Sequence, residues 1–79
     1  MSLKNKEIVL NYLKSISDVE ISDNTHLQNN GILDSMGIFE FIEYIQSRFG
    51  IEIDAEDILE ENFSTVAAVL KFINRKEKS

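Results

Sequence analysis

Three groups of residues in this 79-residue chain have side chains suited to chemistry. The first is Gly31-Ile32-Leu33-Asp34-Ser35-Met36-Gly37, where a polar stretch ends in a serine and an apolar helical pattern begins at once. A hydroxyl in the first turn of a helix sits among unpaired backbone N–H groups at the positive pole of the macrodipole, so a phosphate esterified to Ser35 would be well received there. The second group is Ser35 with Asp34 and His26, the single histidine, which are the residue types of nucleophilic hydrolysis. They lack a nucleophile-elbow pattern such as G-x-S-x-G, and a loop histidine more often makes an ordinary hydrogen bond. The third is the acidic run from Asp54 to Glu61, which lacks the glycine and closing glutamate of a calcium loop and supports only weak cation attraction. Ser35 also has a plain structural alternative as a helix-start cap.

Composition narrows the field. There is no cysteine, so neither disulfides nor a thiolate metal site are available, and any thiol chemistry must come from something attached to the chain. No apolar run approaches the roughly 20 residues of a membrane span, and Met1 to Lys6 lacks the basic-then-apolar layout of a secretion signal. A cytoplasmic protein that does not insert into membranes is expected. The net charge of −6 speaks against nucleic acid as a partner, because phosphate contacts need clustered Lys and Arg. The charge is uneven: between Ser15 and Leu70 twelve acids face the single base Arg48, while Lys4, Lys6 and Lys14 lie at one end and Lys71, Arg75, Lys76 and Lys78 at the other. Such a field steers the chain toward basic partner surfaces and favours a monomer, although a surface tuned for solubility would read the same way.

The elements that must position Ser35 follow from periodicity. Leu3 to Ile16 carries Val9, Leu13 and Ile16 at helical spacing, with Ile8 and Tyr12 beside them. From Ser17 to Asp34 about eighteen residues rich in Ser, Asp and Asn form a loop, long for a compact domain. Val19, Ile21, Leu27, Ile32 and Leu33 can anchor it in the core, and Gly31 can supply a positive φ. From Ser35 to Phe49, Ile38, Phe41, Ile42, Ile45 and Phe49 make one continuous helical stripe, with Asp34 as its N-cap and Gly50 at its end. The opposite face centres on Met36, Glu40, Glu43 and Ser47, with Phe39 and Gln46 at one margin. Met36 and Phe39 offer adaptable apolar contact there, and the glutamates can meet arginine or lysine on a partner. Ile51-Glu52-Ile53 reads as an extended linker, Asp54 as the cap of a short helix from about Ala55 to Glu61 in which Ile58 and Leu59 are the apolar positions, and Ser64 as the cap of a last helix from about Thr65 to Asn74. That helix turns Val66, Val69, Leu70 and Ile73 inward, and the tail after Arg75 is expected to fray.

Leu27, Gly31, Asp34-Ser35-Met36 and the apolar helix after them resemble the attachment motif of the acyl carrier and peptidyl carrier protein family. The similarity extends over the whole chain. The resemblance implies that Ser35 receives 4′-phosphopantetheine from coenzyme A through a separate phosphopantetheinyl transferase, that Asp34 is its acidic motif neighbour, and that Met36 replaces the usual partner-contacting leucine. The arm's thiol would then hold an acyl or aminoacyl group as a thioester, presented by the carrier to loading and downstream enzymes. Primary fatty-acid carriers usually have an acid two residues after the serine and glutamates at the end of the motif helix, where this chain has Gly37 and Gln46-Ser47-Arg48. Leu33-Asp34-Ser35-Met36-Gly37 and Phe49-Gly50-Ile51-Glu52-Ile53 are more similar to stand-alone carriers of amino-acid-loading systems, D-alanyl and peptidyl carriers among them.

The expectation is therefore a single all-α domain over residues 1–79, a four-helix bundle of three longer helices and one short one with a long loop between the first two. It is not itself an enzyme, takes 4′-phosphopantetheine at Ser35, holds no metal, and meets partners through Met36, Phe39, Glu40 and Glu43. The alternative is a small acidic helical interaction module without a prosthetic group.

Overall fold

The computed structural model describes residues 3–78. Among them are four helices, α1 (Leu3–Ile16), α2 (Ser35–Phe49), α3 (Glu60–Phe63) and α4 (Val66–Lys78), together with a 3₁₀ turn at Ala55–Asp57 and no strand. This is the expected all-α arrangement of three longer helices and one short one. Met1, Ser2 and Ser79, which the expectations for the chain ends include, lie outside the described residues.

Each helix turns apolar residues toward a common core. The core takes Val9 and Leu13 from α1, the stripe Ile38, Phe41, Ile42 and Ile45 from α2, Phe63 from α3, and Val66, Val69, Leu70, Phe72 and Ile73 from α4. Aromatic rings link the four helices in sequence of contact. Tyr12 stacks on Tyr44 and Phe41 with centroids 4.4 and 5.4 Å apart, Phe41 meets Phe63 edge-on at 6.5 Å, and Phe63 lies 5.2 Å from Phe72. Offset and edge-to-face pairs of this kind add about 0.5–1.5 kcal/mol each beyond the area they bury. Burial pushes the Tyr12 phenol above its usual range, and the nearby negative charge of Glu40 pushes the same way.

The long α1–α2 connection is pinned rather than free. Ile21, Leu27, Ile32 and Leu33 are buried. A buried backbone must still find hydrogen-bond partners, and this one finds them at the α3–α4 junction. The Asp23 carbonyl accepts from Ala67 N–H at 3.1 Å, and Leu27 N–H donates to the Ser64 carbonyl at 2.8 Å. The Leu27 carbonyl in turn accepts from both Ile32 and Leu33 N–H at 3.0 Å, which closes the loop onto itself just before Asp34. Gly31, at φ 72°, makes the reversal that a side chain would strain.

Several expectations are corrected. Ile16 and Val19 are each 45% exposed, because α1 ends there and the core contacts pass to Ile21 and Leu27. The helix expected from Ala55 to Glu61 breaks in two. Asp54 N–H bonds the Asp57 carboxylate at 3.1 Å and tightens a 3₁₀ turn, after which Ile58 and Leu59 leave helical geometry and α3 restarts at Glu60. Leu59 is 46% exposed. Thr65, not Ser64, caps α4, its hydroxyl accepting from Ala68 N–H at 3.1 Å and its carbonyl from Val69 N–H at 3.0 Å. Finally α4 runs on to Lys78 instead of fraying after Arg75, since tertiary contacts hold its last turns: Arg75 on Asn62 at 2.9 Å, Lys76 on Asp57 at 2.6 Å and Glu77 on Asn5 at 3.1 Å.

Leu27→Ala should cost about 2–5 kcal/mol, as for other fully buried leucines, whereas Val19→Ala should stay within about 0.5 kcal/mol; urea denaturation measures both. A second prediction concerns acid. The Lys76 ammonium, aided by Asp54 N–H, holds the Asp57 carboxyl below the usual carboxylate range. A depressed folded value adds stability above the unfolded pKa of about 3.9 and loses it as pH falls through the folded value. Lys76→Met should therefore narrow the difference in melting temperature between about pH 7 and about pH 3.

Candidate functional site

Asp34 starts α2. Its backbone is extended (φ −94°, ψ −172°), its carbonyl accepts from Ile38 N–H at 2.9 Å, and its Oδ1 accepts from Gly37 N–H at 2.6 Å. A Cβ on residue 37 would stand 3.0 Å from that oxygen, so the glycine leaves the cap room to close tightly. At the other end Gly50, in the left-handed region at φ 65°, donates its N–H to the Gln46 carbonyl and stops the helix.

With Asp34 as the cap, Ser35 is released from that duty. It is the first residue of α2, it is exposed, and its hydroxyl makes no hydrogen bond among the described residues. The N–H groups of Ser35 and Met36 are likewise unbonded there. A free hydroxyl beside two free donors at the positive pole of a four-turn helix fits a group joined through a phosphodiester.

The hydrolytic arrangement is not assembled. His26 Nδ1 accepts from Asn29 N–H at 3.1 Å, which leaves the proton of the neutral ring on Nε2, and Nε2 faces Glu60 Oε1 at 3.7 Å. The Asp34 carboxylate is engaged with Gly37. No relay connects Ser35, His26 and Asp34, and His26 serves the loop, as an ordinary hydrogen-bonding residue would.

Beyond Ser35 the outward face of α2 is as the periodicity predicts. Met36 is 72% and Phe39 59% exposed, so neither covers the loop, and Glu40 and Glu43 are exposed with them. Gln46, at the margin of that face, turns away from it. Its Oε1 accepts Ile53 N–H at 2.9 Å and ties the Ile51–Ile53 linker to α2.

The fold also forms a cleft near Ser35 from segments distant in sequence. This cleft of about 140 Å³ opens beside the first turns of α2, lined by Gln28, Ile38, Ile58, Leu59, Glu60 and Phe63. Its walls come from the loop, from α2 and from the segment around α3, residues that share no local pattern. Two larger grooves, of about 440 and 360 Å³, run along the α3–α4 side and include no residue of α2.

Asp34→Ala should lower stability by about 1 kcal/mol through loss of the cap, while Ser35→Ala should leave it within about 0.5 kcal/mol, as read by urea denaturation. A larger loss for Ser35→Ala than for Asp34→Ala would return the serine to a structural role.

Comparison with known proteins bears on this site. Residues 6–73, a span that includes the Asp34-Ser35-Met36 motif, match the family described as "phosphopantetheine attachment site". A D-alanyl carrier protein of Streptococcus suis is 30% identical over 67 residues, covering 82% of this chain and 85% of the relative. D-alanyl carrier protein 2 of Lactiplantibacillus plantarum is 30% identical over 67 residues, covering 82% and 84%. Among solved structures, a chain in one titled "Crystal structure of FAD-dependent dehydrogenase" is 29% identical with a TM-score of 0.71, covering 87% of this chain and 97% of that one.

Proposed function

Because the chain belongs to the phosphopantetheine-attachment family of carrier proteins, we propose that Ser35 is the residue that takes the 4′-phosphopantetheine arm and that the cargo is an aminoacyl group. The protein is a carrier and not itself a catalyst. The observation that carries the choice of Ser35 is its hydroxyl, exposed and unbonded among the described residues while Asp34 does the capping. In the transfer, catalysed by a separate phosphopantetheinyl transferase, Ser35 Oγ loses its proton and attacks the pantetheine-side phosphorus of coenzyme A. A new O–P bond forms, the pyrophosphate bond breaks, and 3′,5′-ADP leaves. Once bound, the arm supplies the thiol that this cysteine-free chain lacks, and on it acyl groups are held as thioesters.

The aminoacyl reading is supported by relatives whose names specify D-alanyl cargo, and by the motif region itself. Gly37 and Gln46-Ser47-Arg48 stand where primary fatty-acid carriers usually present acids. Partner enzymes would dock on Met36, Phe39, Glu40 and Glu43. The thioether and ring adapt to an apolar patch, and the carboxylates suit a basic rim. The reading is of a monomer working in the cytoplasm with transferases and a loading enzyme.

Intact-mass spectrometry after incubation with coenzyme A and a promiscuous transferase tests this. Wild type should gain one arm and Ser35→Ala none. The double variant Met36→Ser, Glu40→Gln should gain it about tenfold more slowly, the effect of about 1.4 kcal/mol of lost docking, with its melting unchanged. A wild-type chain that gains no arm would favour an armless interaction module instead.

A further inference from the structure

Resting on Ser35 as the attachment point, we propose that Met36 is a reversible oxidation site whose sulfoxide form slows the enzymes that must reach Ser35. The chain holds two methionines, Met1 and Met36, and neither cysteine nor tryptophan. An oxidant of the hydroperoxide class therefore meets two sulfur atoms in the whole polypeptide, and one of them adjoins the attachment serine. Met36 is 72% exposed, which opens its thioether to a peroxide arriving from solvent. The core, among the described residues, is built from Val, Leu, Ile and Phe alone and contains no sulfur.

The step balances with the peroxide as the sole co-reactant. A sulfur lone pair attacks one peroxide oxygen, an S–O bond forms as the O–O bond breaks, and water leaves once the departing oxygen has taken up a proton. Sulfur is oxidised by two electrons and the peroxide is reduced by two. A dithiol reverses the change, carrying the oxygen off as water and ending as a disulfide, which is the reaction of the methionine sulfoxide reductases.

The effect on function follows from adjacency. An enzyme that addresses Ser35 Oγ covers the next residue too, so Met36 passes from water into the partner's surface at each encounter. Phe39, 59% exposed and one turn further along the same face, widens the apolar contact. A thioether enters such a contact at little cost and adapts to its shape. A sulfoxide is polar and chiral, and its oxygen loses water on docking. The fold is spared, because neither the core nor the half-buried residues packed on it include Met36. A leucine at this position would give the apolar contact without the oxidisable atom.

The test treats the full chain with hydrogen peroxide before arm loading, removes the excess with catalase, and follows arm gain from coenzyme A and the promiscuous transferase by intact mass. Peptide mapping should place one added oxygen on Met36. The oxidised chain should gain its arm about fivefold more slowly than the untreated chain, the lower end of what burying an unpaired polar group costs. Its melting should be unchanged, and reductases for both sulfoxide epimers should restore the rate. Met36→Leu, compared with its own untreated sample, should show no effect of peroxide, which also removes Met1 as the cause. Equal rates for oxidised and untreated wild type overturn the proposal and leave attachment at Ser35 standing. A Met36→Leu chain that peroxide slows to the same degree overturns it as well, as does an oxidised chain that melts lower, since the effect then runs through another residue or through the fold. Slowing that the reductases do not reverse overturns the reversible site. A Met36 left intact while free methionine in the same tube is converted overturns the site itself. An untreated chain that gains no arm overturns the attachment reading and this proposal together.

Discussion

Leu27 is completely buried, and its peptide unit makes three hydrogen bonds: N–H to the Ser64 carbonyl, and carbonyl to the N–H groups of Ile32 and Leu33. The rest of the site depends on this anchor. One bond fastens the long loop to the α3–α4 junction, and the other two draw Ile32 and Leu33 into the core so that Asp34 emerges at the start of α2. A connection of this length has much conformational freedom to lose, and scattered apolar anchors with satisfied backbone groups are what offset it. The serine owes its fixed position to a leucine eight residues earlier.

The division of labour between Asp34 and Ser35 follows from helix-end chemistry. Four N–H groups are orphaned at any helix start, and one carboxylate can satisfy only part of them. Asp34 takes Gly37 N–H through its side chain and Ile38 N–H through its carbonyl, which leaves Ser35 and Met36 N–H free next to a free hydroxyl. Had the serine been the cap, its oxygen would have been turned into the helix. A neighbouring acid makes the hydroxyl available to an incoming group while the helix keeps its stability.

The surface divides as the charge does. On α2 the outward Met36 and Phe39 forgo the stability that burial would contribute, roughly 1.5–3 kcal/mol for a side chain of this kind. Toward its negative pole α4 gathers basic residues, where Lys76 and Arg75 are used structurally on Asp57 and Asn62. Part of the basic end of the sequence is thus consumed by the fold.

By itself the sequence determined α2 and the chemistry at its head: the stripe from Ile38 to Phe49, the Asp34 cap, the Gly50 stop, the turn at Gly31 and the outward Met36 and Phe39. Each of these is set by local spacing or by a backbone conformation only certain residues adopt, so the amino-acid order suffices. Tertiary structure decided the rest. Ser64 and Thr65 are both competent caps, and the choice fell to Thr65 because the Ser64 carbonyl is held by Leu27 across the chain. The run from Ala55 to Glu61 has helical composition, yet Asp57 is claimed by Lys76 of α4 and Asn62 bonds the Asp57 carbonyl at 2.8 Å, so the helix breaks at Ile58 and Leu59. The cleft beside Ser35 arises from that break together with Gln28 and Ile38. Its walls meet only when three separate segments pack, a juxtaposition for which no local periodicity carries a signal.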